Sequence, residues 1–172
     1  MTILRTSLLL LACAVLTAAD EAWPTVVMRV AGLCYPERAA DLTAEIAERS
    51  DVRVVGVDYE RGEAIFAYDA KRTKADDLKH LGGRSGFQLR PRSDIPVDQL
   101  ARVDIPVAGL DCKGCALGTA NIVNRVEGVY HATVDYRAGL VSLRIDPAKT
   151  SRAALIDALK KGNVTVRDEP AR

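Results

Sequence analysis

The chain repeats itself. Val57-Asp58-Tyr59 recurs as Val134-Asp135-Tyr136, an offset of 77 (134 minus 57). The same offset carries Gly32-Leu33 onto Gly109-Leu110, Asp69 onto Asp146, Thr73 onto Thr150 and Leu78 onto Leu155. It also carries Val26, Met28 and Val30 onto Val103, Ile105 and Val107. One shared tripeptide is chance, but agreement at this many positions in one register marks a duplication. Whatever this chain folds into, a unit of about 70 residues must build it twice, and a unit of that size is just large enough to fold alone.

The second copy reads most clearly. Val103, Ile105 and Val107 alternate as a half-buried strand does, and Ala132, Val134 and Tyr136, then Val141, Leu143 and Ile145, do the same. Between the first two, Cys115, Thr119, Val123 and Val126 fall at steps of four, four and three, one stripe of a helix that starts near Cys115. Arg137-Ala138-Gly139 turns the chain, and Thr150-Ser151 caps a second helix carrying Leu155 and Leu159. Gly162 stops that helix and Val164-Thr165-Val166 is a short last strand. The order is βαββαβ. The predicted class is α+β, with two ferredoxin-like domains, each an antiparallel four-stranded sheet covered by two helices. In the first copy Leu42 and Ile46 take the stripe, and Thr73, with Asp76 three residues on, caps the second helix. Expected bounds are 24–90 and 102–168, with a Pro-containing linker at 91–101. Pro106 conflicts with a central strand, where its missing N–H would break the ladder, unless a bulge or a late strand start absorbs it.

The chemistry concentrates in Gly109-Leu-Asp-Cys-Lys-Gly-Cys115, which leads from a strand into a helix. A helix N-terminus carries partial positive charge and favours thiolate, the form that binds metal. Two soft sulfurs suit Cu(I) first, then Hg(II), and discriminate against Mg(II) and Ca(II). An open two-ligand loop also lets an incoming thiol attack, so the ion can be handed on. Lys113, between the cysteines, is expected to face solvent. Asp111 either caps the helix or adds a hard oxygen ligand, which would favour Zn(II). Two other chemistries fit the same pair: thiol–disulfide exchange, and an inert disulfide. The first copy has lost the site. In register, Tyr35 and Arg38 stand where Cys112 and Cys115 stand, and Cys34 falls opposite Asp111, leaving it as a third thiol for the pair or a bridge between chains. His131 on an outward strand face and His80 on an exposed helix read as surface residues.

A βαββαβ unit with Gly-Leu-Asp-Cys-Lys-Gly-Cys at its first loop, then Arg125-Val-Glu-Gly-Val129, Val134-Asp-Tyr-Arg-Ala-Gly139 and Ile145-Asp-Pro147, resembles the heavy-metal-associated domain family. Residues 102–168 match its motif, and residues 24–90 match its scaffold only. The resemblance implies a metal-binding protein and not an enzyme, with one soft ion at Cys112 and Cys115. It implies a membrane metal transporter or another thiol protein as partner. It also implies an influence of Asp111 on which divalent ion is taken, and a lysine, here Lys161, that balances the bis-thiolate charge.

Arg5 followed by Ser7–Leu16 (SLLLLACAVL) and Thr17-Ala18-Ala19 reads as an export signal over 1–19, placing the mature chain in the periplasm or outside the cell. The alternative is a lipid anchor at Cys13 within Leu10-Leu11-Ala12-Cys13. Cleavage after Ala19 would leave Cys34, Cys112 and Cys115, an odd set that no internal disulfide framework can satisfy. Lys and Arg number 24 against 23 Asp and Glu, without the basic excess of a nucleic-acid-binding protein.

Overall fold

The computed structural model describes residues 22–92, 95–96 and 99–167. The export signal and Cys13 lie outside the described residues. Strand β1 (Thr25–Ala31), helix α1 (Arg38–Ala47), β2 (Val52–Asp58), β3 (Glu63–Tyr68), a 3₁₀ helix (Ala75–His80) and β4 (Gln88–Pro91) form the first domain. The second comprises β5 (Ala101–Ala108), α2 (Lys113–Asn124), β6 (Val129–Asp135), β7 (Leu140–Ile145), α3 (Arg152–Lys161) and β8 (Thr165–Val166). The sheets run β2-β3-β1-β4 and β6-β7-β5-β8, both antiparallel, so the ferredoxin-like order occurs twice.

The repeat extends to single hydrogen bonds. Val30 N donates to Gly62 O and, 77 residues on, Val107 N to Gly139 O, both at 2.8 Å. Asp69 Oδ1 accepts from Lys71 N at 2.9 Å, and Asp146 Oδ1 from Ala148 N at 3.0 Å. Each sheet buries one face under its helices. Val30, Leu33, Leu42, Ile46 and Phe66 fill the first core, and Ile105, Val107, Val123, Leu143, Leu155 and Leu159 the second.

Two expectations need correction. The second helical segment of the first domain is a six-residue 3₁₀ helix, and Thr73 does not cap it. Thr73 Oγ1 is buried and donates to the Asp51 carboxylate, while Asp77 accepts from Lys74 N at 3.2 Å at the helix start. In the second domain Ser151 Oγ does cap α3, accepting from Ala154 N at 3.3 Å. Pro106 does sit inside β5, a central strand. Neither a bulge nor a late start absorbs it. Val107 N–H points to β7, so the nitrogen of Pro106, one residue earlier, faces the other side. On that side β8 pairs only Val107 and Ala108, and Pro106 O still accepts from Arg167 N at 2.9 Å. The shortness of β8 is what accommodates the proline.

The domains pack on one another. Val134 N, on the edge strand β6, donates to Cys34 O at 2.7 Å. Tyr130 Oη donates to Glu63 Oε1 at 2.7 Å, and Arg92 Nε approaches the same oxygen at 3.1 Å. His131, expected on the surface, is 4% exposed. It lies under the β2–β3 turn, where Gly62 has φ +65° and any Cβ would meet the imidazole at 2.2 Å. Its ring is edge-on to Tyr59. The outward face of β6 is therefore an interface, which strand alternation alone does not reveal.

Candidate metal centre

Helix α2 starts at Lys113, two residues before its expected start, and Cys112 rather than Asp111 is its N-cap. Cys112 has extended backbone (φ −152°, ψ 162°), and its Sγ accepts from Cys115 N at 3.1 Å. A thiol sulfur here takes the place that a Ser or Asp oxygen usually fills at a helix start. Cys112 is exposed, Cys115 is half-buried against the second core, and both are free thiols. The Cys112 thiol titrates below its ordinary range. Its hydrogen bond with the Cys115 side chain is the main cause, the Cys115 and Gly114 amides add to it, and Asp111 opposes it. The helix start thus aims amide donors at one sulfur and favours the anion.

The remaining predicted residues take other places. Asp111 is exposed beside the cap. Cys34 is fully buried in the second domain's core, and burial raises its thiol pKa to about 11, so it stays protonated. Among the described residues no three His, Cys, Asp or Glu side chains gather around one point, so neither Asp111 nor Cys34 joins the pair in this structure. Lys161 pairs with Asp157 at 2.8 Å. The neighbouring Gly162 abuts Ile122, nine residues and about 13 Å along α2 from Lys113. His80 lies on the exposed side of its 3₁₀ helix.

Sequence reasoning missed two features. Lys113 does not merely face solvent: its Nζ is 3.0 Å from Glu37 Oε1 and 5.6 Å from the centroid of the Tyr35 ring. The first domain's degenerate loop therefore touches the second domain's cysteine loop. The other feature is Arg38, the counterpart of Cys115, which is 4% exposed. Its Nε donates to Gly32 O at 3.0 Å and Nη2 to Ser85 O at 2.5 Å, while Nη1 meets Asp41 at 3.1 Å. The guanidinium lies 3.9 Å from the Phe87 ring centroid. A charged residue at a helix position that should be buried was the available signal.

No family model matches the chain. Over 99 residues, 58% of its length, it is 28% identical to a copper-exporting P-type ATPase of Staphylococcus saprophyticus. It spans only 11–14% of the length of the curated relatives it matches. Among solved structures, a CopZ metallochaperone is 25% identical, with 39% of this chain and 100% of that one covered at a TM-score of 0.38. The N-terminal soluble domains of Bacillus subtilis CopA are 19% identical over 84% of this chain and 92% of that one, at 0.37. The resemblance to heavy-metal-associated domains is thus carried by the chain's own tandem βαββαβ fold and by its sequence similarity to a copper-exporting ATPase.

Proposed function

We propose that the chain is an exported binding protein that holds one soft cation between Cys112 and Cys115 and passes it to a partner thiol. Cu(I) is the first choice, ahead of Hg(II) and Zn(II), and the chain acts as a carrier and not as an enzyme. The observation that carries this reading is Cys112 at the helix cap, exposed, with its sulfur already accepting an amide N–H. Two thiolates give a soft, low-coordinate site. The absence of a third donor among the described residues favours an ion content with two ligands over Zn(II), which prefers four. An exposed first sulfur lets an incoming thiol attack the ion and take it by stepwise ligand exchange. The copper-exporting relative supports a membrane transporter as the receiving partner. Residues 1–19 supply export, and residues 24–90 act as a structural partner to the metal-bearing unit 102–168.

The test is anaerobic competition for Cu(I), Hg(II) and Zn(II) by the reduced chain beside a Cys112→Ser/Cys115→Ser variant. One equivalent of Cu(I), held tightly and lost in the variant, is expected. Binding that survives loss of both thiols, or no binding, rejects the reading. A pair that oxidises to a disulfide and resists reduction by glutathione would favour the inert alternative. The N-terminal residue of the protein recovered from the periplasm checks the cleavage after Ala19.

A further inference from the structure

A cleft of about 250 Å³ opens between the domains where the end of α2 meets β1 and β4. It is lined by cations from both domains. Arg29 and Arg90 are direct cross-strand partners on β1 and β4, an arrangement that costs stability when both are charged. Arg29 is half-buried, with its guanidinium 4.8 Å from the Tyr130 ring centroid, and burial together with Arg90 lowers its pKa. Arg90 Nη2 donates to the neutral Gln88 at 2.8 Å. The second domain adds Arg125 and Lys149 to the wall. Among the described residues none of Arg29, Arg90 and Arg125 is ion-paired, and Lys149 has only a 3.9 Å contact with Glu127.

One wall of the cleft also has an unpaired amide behind it. Asn124, the last residue of α2, is 7% exposed and forms part of this wall, and its Nδ2 has no hydrogen-bond partner. Two carboxylates, Glu127 and Asp146, share the lining. The end of α2 contributes roughly half a negative charge more. Among the described residues the four cations outweigh these.

We propose that this cleft binds a tetrahedral oxyanion of the phosphate type, bridging the two domains. Phosphate carries a charge of about −1.5 to −2, close to the local excess, and offers three or more acceptor oxygens. Guanidinium forks engage such oxygens in pairs. A carboxylate offers one charge in one plane and would leave donors unused. The site is remote in sequence from the thiols and needs no metal.

The experiment is calorimetric titration of the full chain with inorganic phosphate, pyrophosphate and acetate at constant ionic strength. The expected result is a saturable one-to-one isotherm for phosphate, at least tenfold weaker in Arg90→Gln and in Arg125→Gln and unchanged in the exposed control Arg152→Gln. Both test side chains reach the surface, and circular dichroism checks that the variants fold. Tighter pyrophosphate would identify a phosphorylated small molecule as the source, and equal affinity the free ion. The Cys112→Ser/Cys115→Ser chain should bind phosphate as the parent does, so this proposal and the metal reading fail separately. No saturable phosphate binding, equal binding in Arg90→Gln and Arg125→Gln, or an equal response to acetate overturns it.

Discussion

In the first domain, the loop entering the helix is closed by a guanidinium, and in the second the same position holds Cys115. Arg38 ties Gly32 O in that loop to Ser85 O in the loop before the last strand, over the face of Phe87. A fixed side-chain cation there does for the first loop what a bound ion between two sulfurs would do for the second. One domain carries its charge permanently, and the other has two free thiols at the matching loop. A second matched pair shows the same divergence. Asp51 accepts from the buried Thr73 hydroxyl and from Arg49, which hold its pKa near 2. The counterpart of Asp51 is Gly128, and the buried Thr150 hydroxyl has no partner among the described residues. The first copy ties its loops with internal side-chain hydrogen bonds, and the second lacks their counterparts around its cysteine pair.

The sharpest way to break this comparison is at Arg38. Arg38→Ala leaves two loop carbonyls without their donor and removes the stacking on Phe87, and should destabilise the chain by about 3–5 kcal/mol. Cys115→Ser, at the matching position, should cost less than about 1 kcal/mol without metal. Urea unfolding of both variants makes the measurement, and equal losses would refute the contrast.

Acid should act next, on the interface. Burial lowers the His131 pKa to about 4. The unfolded chain therefore binds its proton first, near pH 6.5. Stability from this group is complete above pH 6.5 and falls away as pH drops towards 4, by an amount on the order of 3 kcal/mol. His131→Gln should flatten that part of a stability–pH curve, and an unchanged slope would place the imidazole outside the interface.

Tyr130→Phe removes a hydrogen bond to a buried carboxylate and should cost about 2 kcal/mol in the same assay. If unfolding also splits into two transitions, this bond couples the domains. The smallest effect is at Glu37→Gln. Its partner Lys113 is half-exposed, as it is itself, so the unfolding midpoint should not move measurably.

Much of the fold could be read from the sequence because strand alternation and the helical stripe are local and were written twice. Val103, Ile105 and Val107 announced β5, and Leu42 and Ile46 face the first core as expected. The pairing of Cys112 and Cys115 at a helix start was equally legible, since a three-residue spacing fixes two side chains on one turn. Contacts across domains were not. Tyr130 with Glu63, His131 under Gly62 and Lys113 with Glu37 join residues 67, 69 and 76 positions apart, and no local period encodes such pairs. The 3₁₀ segment was missed for another reason. Thr73 looks like a helix cap in sequence, but the competing carboxylate of Asp51 lies 22 residues earlier and takes its hydroxyl.

The bond from Val134 to the carbonyl of Cys34 has a consequence for any shortened form of the chain. β6 is the outer strand of its sheet, and an outer strand offers unpaired peptide groups to whatever extended chain comes near. The first domain covers one of those groups and buries Tyr130 and His131 on the face beside it. A fragment beginning at residue 101 would present that row bare, flanked by apolar surface, and would template strand addition by a second fragment. In the full chain the first domain covers this row, so the two copies are not interchangeable fragments.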